Sequence, residues 1–347
     1  MTVRWALIGA GRHPWLWLAP ALQRAANAEI HGVWSRDVAH GRAFADRFGL
    51  SRVYDSIDSA LADPVVDAVL IATPNDLHAR HAIAAFAAGK HVFCEKPMAV
   101  SVAEARAMVQ AARKAERQLG IGFHLRHHQL LVEARRRIAD GAIGEVIYLR
   151  GQFHRVSPPP HPVAIPHGAW KRDPAQMGGA GALMGLGVHV LDLLRFLTGR
   201  EVAAVTAVTN GQTAEQPLES FAQVVLEFAG GAQGYAVYGG GFPLARNDVV
   251  IQGSQGQIVL DDVIDVTSQG VLHHTTPDGQ GGTRTESIQL VLTDHYQRQF
   301  EAFGRAIETN GTFAADGIDG LRSVEIQTAV IESQRTGRRI SLEHVEI

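Results

Sequence analysis

The sequence predicts an α/β protein of two domains, an N-terminal doubly wound parallel sheet and a C-terminal α/β domain with a mainly antiparallel sheet. Strand and helix patterns alternate as far as Gly120, which is typical of βαβ units. After Gly120, longer segments alternate apolar and polar residues with period two. The length of 347 residues suits two domains, which we predict at 1–122 and 123–347.

The first domain contains four short apolar runs and three helical patterns. Continuous apolar runs are typical of strands that helices cover on both faces of a parallel sheet. We predict these strands at 3–8, 29–34, 67–72 and 91–94. The helices are predicted at 38–48, 76–89 and 101–118. The last helix opens with Ser101 and Glu104, which have the spacing of a capping box.

The second domain contains period-two segments separated by glycine-rich turns. This pattern predicts an antiparallel sheet with one covered face. We predict strands at 145–155, 202–209, 221–228, 234–238 and 249–260. Helices are predicted at 130–140, 296–308 and 317–336, and a fourth follows a glycine-rich start within 178–197.

The composition is that of a folded globular protein. Hydrophobic residues make up 46% of the chain and charged residues 19%, which argues against disorder. The net charge of -3 gives no indication of a nucleic acid or anionic membrane partner. Cys94 is the single cysteine, and neither a signal peptide pattern nor a membrane-spanning apolar run is found. We therefore expect a cytoplasmic protein.

A glycine turn follows the first strand. Gly9 permits a tight turn, Gly11 lets the backbone approach a pyrophosphate, and the next helix offers free N–H groups. Pro14 stands where a third glycine is usual, and proline is tolerated in a first helical turn. An ordinary tight turn is the alternative. At the first strand-to-helix junction, the turn predicts a Rossmann domain that binds a nicotinamide dinucleotide, with Arg12 and His13 beside it.

The end of the second strand bears on the choice of cofactor. A hydroxyl and a guanidinium at Ser35 and Arg36 suit the 2′-phosphate of NADP. Asp37 is the alternative, because a carboxylate there would bind the ribose hydroxyl of NAD. We expect NADP in preference to NAD.

Further motifs resemble the Gfo/Idh/MocA oxidoreductases, the family of glucose–fructose oxidoreductase and inositol dehydrogenase. The resemblance covers nearly the whole chain and is carried, beside the glycine turn, by Thr73-Pro74-Asn75-Asp76-Leu77-His78, Glu95-Lys96-Pro97, Gly141-Ala142-Ile143-Gly144-Glu145-Val146, Gly187-Val188-His189-Val190-Leu191-Asp192 and Ser333-Gln334-Arg335-Thr336-Gly337-Arg338. It implies a large open sheet in the second domain, an active site between the domains, and a homodimer or homotetramer.

The resemblance also implies which residues carry the site. It adds to the cofactor contacts Thr73, Pro74, Asn75, His78, Glu95, Lys96 and Pro97. It makes Lys96 the acid/base beside the nicotinamide and His189 a supporting catalytic group. The family's aspartate, one turn before the histidine, falls on Gly185, which opens space for substrate. Asp192 is a helical neighbour of His189, but we do not expect it to replace that carboxylate.

Three more residues are candidates for substrate binding. By the resemblance, Arg126 lies near the substrate, and Trp170 with Lys171 lines the pocket. A hinge salt bridge for Arg126 and a packed tryptophan are the alternatives. An aromatic ring beside a cation suits a sugar, whose C–H faces pack on aromatic rings.

These observations together predict an NAD(P)-dependent dehydrogenase or reductase of a sugar, cyclitol or related hydroxylated ring. One alternative is a lyase or glycosidase that retains its cofactor and oxidises the substrate transiently. Another is a dinucleotide-binding sensor without catalysis. We expect no metal, because His154, His161 and His167 lack acidic partners and metal-motif spacing.

Overall fold

The N-terminal sheet is fully parallel in the computed structural model, which describes residues 1–155, 169–211, 213–242, 244, 246–290 and 293–344. Its six strands have the order β3-β2-β1-β4-β5-β6, the order of a doubly wound sheet. The strands are β1 (Val3–Ile8), β2 (Ala28–Trp34), β3 (Val53–Tyr54), β4 (Ala68–Ile71), β5 (His91–Cys94) and β6 (Leu119–Ile121).

Five helices connect these strands. They are α1 (Ala19–Arg24), α2 (Val38–Phe48), α3 (Ile57–Ala62), α4 (His78–Ala87) and α5 (Val102–Ala115). The predicted cap at Ser101 is present, since its side chain accepts a hydrogen bond from Glu104 N. Helix α5 ends three residues earlier than predicted, because Glu116 adopts a left-handed conformation with φ 53°.

The second sheet has nine strands in the order β14-β13-β12-β11-β7-β10-β9-β8-β15. All neighbours are antiparallel except β7 and β10. The strands are β7 (Val146–Arg155), β8 (Val202–Thr209), β9 (Phe221–Phe228), β10 (Gln233–Gly240), β11 (Val249–Gly253), β12 (Gln257–Asp261), β13 (Val271–Pro277), β14 (Thr283–Gln289) and β15 (Ile340–Ser341). The predicted single strand at 249–260 was wrong, because a turn at Ser254 and Gln255 folds it into the β11–β12 hairpin.

Helices cover one face of this sheet. Those that pack on it are α6 (Gln129–Ala139), α8 (Val188–Thr198) and α10 (Gly317–Thr336), whereas the short α7 (Pro174–Met177) packs near Asn75–Leu77 and α9 (His295–Thr309) packs on the first domain. Helix α8 packs closely on β7, since a Cβ on Gly151 would lie 3.0 Å from Val190 Cγ1. The other face is open, with Val208 68% and Val225 44% exposed.

The C-terminal helices return to the first sheet. Trp5 of β1 lies 5.8 Å from Phe300 and 5.7 Å from Phe303 of α9, measured between ring centroids. Phe93 of β5 joins the same cluster, 5.1 Å from Phe300. The N-terminal sheet therefore completes its core with residues from the end of the chain, and the predicted division at residue 122 stays a prediction. Among the described helices, none has both the length and the apolarity needed to cross a membrane.

Candidate active site

The glycine turn lies at the carboxyl ends of β1 and β4. Gly9 has φ +112°, and a Cβ there would stand 2.6 Å from the Ala72 carbonyl oxygen. No heavy atom lies within 4 Å of a Cβ built on Gly11. A helical segment follows, beginning with a π-helical turn at Pro14–Leu18 and continuing as α1. Gly9 and Gly11 thus leave open a concave site at a helix N-terminus, here called the phosphate cradle, which fits a dinucleotide pyrophosphate.

His13 and Arg12 point from this turn into the cleft between the domains. His13 Nε2 lies 3.7 Å from Glu95 Oε1, and the His13 ring lies 5.7 Å from the Tyr296 ring. Arg12 is close enough to Lys171 to lower the pKa of that lysine. The turn therefore connects the phosphate cradle to the second domain.

The residues that bear on cofactor choice lie at the end of β2. Asp37 caps α2, since its side chain accepts a hydrogen bond of 3.0 Å from His40 N. Arg36 is exposed beside it, and Ser35 is partly buried.

The loop after β4 is held by polar contacts. His78 Nδ1 lies 2.8 Å from the Pro97 carbonyl oxygen, and its Nε2 lies 3.0 Å from the Thr73 carbonyl oxygen. Asn75 Nδ2 donates to the Met177 carbonyl oxygen of α7 at 3.4 Å. Pro74 precedes a 3₁₀ turn at Asn75–Leu77, so the predicted helix begins as α4 two residues late. These contacts fix the predicted cofactor loop against β5 and α7.

Glu95, Lys96 and Pro97 follow β5, with a cis peptide bond between Lys96 and Pro97. Burial raises the pKa of Glu95, but His13 and Lys96 outweigh it and hold the pKa below its ordinary value. Removal from water lowers the pKa of Lys96 to about 8, with Arg155 and Lys171 acting in the same direction and Glu95 opposing them. Lys96 therefore titrates close to neutral pH, as an acid/base requires.

Lys96 reaches across the cleft to the second domain. Its Nζ donates to the Gly185 carbonyl oxygen at 3.1 Å. Gly185 lies in a π-helical turn, Leu183–Gly187, that leads into α8. The buried Glu219 carboxylate holds the start of this turn, accepting hydrogen bonds of 2.8 Å from Gly181 N and Leu183 N.

His189 lies on the first turn of α8 and is buried. Burial, followed by the charges of Lys96 and Arg155, holds the pKa of His189 well below its ordinary value. Its Nδ1 has no hydrogen-bond partner among the described residues. The imidazole is therefore neutral near pH 7, and its Nδ1 is a buried polar atom that no described residue satisfies.

Comparisons with known proteins agree with this architecture. The model of the oxidoreductase family with an NAD-binding Rossmann fold matches residues 3–123, and that of the GFO/IDH/MocA C-terminal domain matches residues 131–259. The chain is 32% identical to the 1,5-anhydro-D-fructose reductase of Ensifer adhaerens, over 98% of each chain. The chain belongs to the GFO/IDH/MocA oxidoreductase family.

Two further relatives extend this result. The inositol 2-dehydrogenase of Rhizobium meliloti strain 1021 is 30% identical, over 99% of this chain and 100% of its own. The crystal structure of aldose-aldose oxidoreductase from Caulobacter crescentus superposes with a TM-score of 0.86 at 26% identity, over 99% of this chain and 100% of that one. The predicted family and fold class are confirmed, and this GFO/IDH/MocA member is an NAD(P)-dependent oxidoreductase.

The position of the expected aspartate is open in this GFO/IDH/MocA protein. Among the described residues, a Cβ built on Gly185 would have no neighbour within 4 Å outside its own helical turn. Asp192 does not take its place, because Arg126 Nε and Nη2 donate to its two carboxylate oxygens at 2.9 and 2.7 Å. The described residues therefore leave the space beside the Gly185 Cα open.

Arg126 is occupied within the protein. Besides Asp192, its Nη1 lies 2.8 Å from Asp319 Oδ2 and donates to the Ala314 carbonyl oxygen at 2.6 Å. The side chain is 5% exposed. These contacts agree with the salt bridge named as the alternative to substrate binding. The three interior partners engage four of the five guanidinium N–H groups, and the substrate contact expected of Arg126 stays a prediction.

Trp170 and Lys171 form the predicted pair. Lys171 Nζ lies 5.7 Å from the centroid of the Trp170 ring. Partial removal from water, with the charges of Arg12 and Arg155, lowers the pKa of Lys171. The pair therefore faces the same cationic cleft as Lys96.

Sequence reasoning missed two residues beside Lys96 and His189. Arg155 ends β7, and its Cζ lies 5.3 Å from the centroid of the Phe153 ring. Tyr296, on the first turn of α9, stacks on His124 with ring centroids 4.4 Å apart. The sequence signal for Arg155 would have been its position as a cation at the end of a predicted strand. Tyr296 has no such signal, because only the fold brings it to the cleft.

A metal centre is not found in the described part of the chain, where no three His, Cys, Asp or Glu side chains could hold an ion. His154 packs on Phe242, with ring centroids 5.0 Å apart. His161 and His167 lie outside the described residues.

Proposed function

We propose that this protein transfers a hydride between a nicotinamide dinucleotide and a CH–OH carbon of a sugar, cyclitol or related ring, with Lys96 as acid/base. The observation that carries the proposal is the Lys96 ammonium. It lies beside open space at Gly185, between the phosphate cradle and His189, with a pKa lowered to about 8. The names of two relatives, for anhydrofructose and inositol, support a hydroxylated ring as substrate.

The cofactor contacts extend along the ends of β1, β2, β4 and β5. When bound, the dinucleotide supplies the hydride acceptor or donor. Gly9 and Gly11 would admit its pyrophosphate, with Arg12 and His13 beside them. Ser35 and Arg36 would bind a 2′-phosphate, which favours NADP over NAD. The remaining contacts would come from Thr73, Pro74, Asn75, His78, Glu95, Lys96 and Pro97.

Lys96 and His189 have different roles toward the substrate. In the oxidation direction, the neutral Lys96 amine accepts the hydroxyl proton as the carbonyl forms, and in reduction its ammonium returns a proton to the oxygen. The neutral His189 imidazole, close enough to Lys96 for that charge to lower its pKa, orients a hydroxyl by hydrogen bonding. Trp170 packs on a C–H face of the ring, and Lys171 contacts its polar groups.

The test is turnover on a panel of polyols, cyclitols and ketoses with each cofactor, followed by nicotinamide absorbance. We expect net redox turnover, and Lys96→Met should lower kcat by about 10²–10⁴-fold with cofactor binding retained. Lys114→Met, at an exposed position in the last turn of α5, is the matched control. Product formation without net change in nicotinamide would favour the cofactor-retaining lyase instead. Tight cofactor binding without any turnover would favour the sensor.

A further inference from the structure

The hydrogen-bond acceptor of Lys96 lies in the turn before α8. Lys96 Nζ donates to the Gly185 carbonyl oxygen at 3.1 Å, and the two residues are 89 positions apart in the chain. Gly185 lies within the π-helical turn Leu183–Gly187, which continues directly into α8. Short π-helical turns of this kind are frequent at functional sites. The position of the Lys96 ammonium therefore depends on the position of this turn.

Glu219, just before β9, binds the start of the turn through three consecutive backbone amides. Its two carboxylate oxygens accept hydrogen bonds from Gly181 N and Leu183 N, each at 2.8 Å. Its backbone carbonyl oxygen accepts a hydrogen bond from Ala182 N at 3.0 Å. Glu219 is 3% exposed, and hydrogen bonds to an ionised carboxylate are roughly twice as strong as those between neutral groups. Glu219 therefore holds residues 181–183 in place.

Gly181 connects Glu219 to the acceptor of Lys96. Besides the hydrogen bond from its N–H to Glu219, its carbonyl oxygen accepts a hydrogen bond from Gly185 N at 3.1 Å. A Cβ on Gly181 would stand 2.5 Å from the Glu219 carbonyl oxygen, so this close approach requires glycine. Hydrogen bonds thus lead from Glu219 through Gly181 and Gly185 to the Lys96 ammonium.

The end of the turn is held as well. A Cβ on Gly187 would lie 2.6 Å from the ring of Tyr238, a fully buried residue of β10. Strand β10 pairs with β9, which begins two residues after Glu219. The same pair of strands therefore fixes both ends of the turn, and the Gly185 carbonyl oxygen between them has a defined position.

We propose that Glu219 is a positioning residue for the reaction. By binding the amides of residues 181–183 it fixes the Gly185 carbonyl oxygen, which in turn directs Lys96 Nζ toward the substrate. This inference rests on the proposed function, in which Lys96 transfers the proton. A misplacement of about 1 Å can lower a rate by about 100-fold, so a buried residue that only holds the turn can still act on kcat.

Glu219→Gln is the direct test, because an amide offers one acceptor oxygen where the carboxylate offers two. Its NH2 group would face the N–H of Gly181 or Leu183 and displace the start of the turn. We expect kcat for oxidation to fall about tenfold or more, with dinucleotide affinity unchanged. The pH midpoint of kcat/KM should move to lower pH, because the Lys96 ammonium loses an acceptor that stabilises its charged form.

Asp316→Asn is the matched control for the loss of a carboxylate that binds backbone amides. Asp316 Oδ1 accepts hydrogen bonds from Ile318 N at 2.8 Å and Asp319 N at 3.0 Å, at the start of α10. This variant should lower the free energy of unfolding, measured by urea denaturation, and leave kcat and the pH midpoint at their wild-type values.

Gly181→Ala disturbs the same contact without removing a charge, and it decides the question if Glu219→Gln does not fold. Its Cβ would press on the Glu219 carbonyl oxygen, so kcat should fall and the pH midpoint should move in the same direction. Gly256→Ala is its control, because a Cβ there would stand 2.7 Å from the Thr275 carbonyl oxygen in another part of the second sheet. It should change neither quantity.

Wild-type kcat and pH midpoint in Glu219→Gln, whatever its stability, would overturn the proposal and leave Glu219 as a helix cap alone. A lower kcat with an unchanged midpoint would also overturn it, because Lys96 would then have kept its acceptor. Lys96→Met without effect on turnover would defeat the proposed function and this inference with it. The expected loss in Lys96→Met beside an unchanged Glu219→Gln would defeat this inference alone.

Discussion

Lys96 sets the pH dependence of the proposed reaction. Its amine must be neutral to accept a proton, so kcat/KM for oxidation should rise with pH to a plateau above about 8, and that for reduction should fall over the same range. Arg155→Gln removes a charge that lowers the pKa of Lys96, so both midpoints should move to higher pH. Steady-state rates measured from about pH 6 to 10, a range that brackets the lowered pKa of Lys96, give both midpoints in the wild type and in Arg155→Gln. Midpoints that stay fixed in Arg155→Gln would contradict the electrostatic account.

Arg36 is the residue on which the proposed cofactor preference depends. Asp37 is engaged in capping α2, whereas Arg36 is exposed beside it. Arg36→Ala should weaken NADPH binding by about tenfold, or roughly 1.4 kcal/mol, and leave NADH unchanged. Fluorescence titration of both nucleotides measures this. Arg284→Ala, on the exposed strand β14, is the control, and equal NADPH affinity before and after Arg36→Ala would refute the assignment.

At the scale of elements, the π-helical turn before α8 contains two glycines with different roles. A Cβ on Gly187 would lie 2.6 Å from the buried Tyr238 ring, whereas one on Gly185 would contact no described residue outside its own helical turn. Gly187→Ala should lower the free energy of unfolding by about 1–3 kcal/mol through overpacking. Gly185→Ala should be neutral or stabilising by up to about 1 kcal/mol, since alanine favours helices over glycine. Urea denaturation of the pair measures this, and similar losses in both variants would show that the turn itself requires glycine.

The elements that the sequence predicted well are those with a buried face. Strands β1, β8 and β9 and helices α2 and α10 match their predicted bounds, because apolar periodicity and caps such as Asp37 mark them locally. Strands β13 and β14 were missed. Strand β14 lies at the sheet edge with nearly every residue exposed, so it has no apolar alternation to detect.

The candidate site was predictable only where a motif carried it. Lys96 and His189 belong to contiguous motifs, and the fold brings them to one cleft. Tyr296 comes to that cleft because α9 returns to the first sheet, a contact across more than half of the chain. Arg126 was given a substrate role by the family resemblance, and its ion pairs with Asp192 and Asp319, both distant in sequence, could not be predicted. The surroundings of Tyr296 and Arg126 depend on contacts between residues far apart in sequence, which a local sequence pattern does not show.

At the scale of the whole molecule, Arg126 joins the domain junction to α8 and α10. It pairs with Asp192 and Asp319 at 5% exposure, so its loss would leave Asp192 charged and buried without a partner. Arg126→Met should cost about 3–5 kcal/mol of unfolding free energy. Chemical denaturation measures the loss, and KM at a temperature where the variant stays folded should be unchanged. A stable variant with a raised KM would restore the substrate-binding role.

Buried histidines between the domains make stability depend on pH. Burial lowers the pKa of His127 and His295 to about 3 and that of His128 to about 4. In the unfolded chain the pKa of each histidine is near 6.5, so below about that pH the unfolded chain binds protons that the folded protein does not bind. Stability is therefore complete above about pH 6.5 and falls as the pH decreases toward about 4, by about 1.4 kcal/mol per pH unit for each histidine.

Urea denaturation at about pH 7.5, 6.5 and 5.5 tests this dependence, because carboxylates with ordinary pKa values stay largely ionised over this range whereas histidines titrate. His127→Phe is the informative variant. The His127 ring stacks on Phe313 with centroids 5.4 Å apart, and its Nε2 has no partner among the described residues, so phenylalanine keeps the packing and removes one titrating group. The slope below pH 6.5 should become shallower by about 1.4 kcal/mol per pH unit. A slope that His127→Phe leaves unchanged would mean that this histidine is protonated in the folded protein, and the acid sensitivity would then have to come from the remaining buried groups.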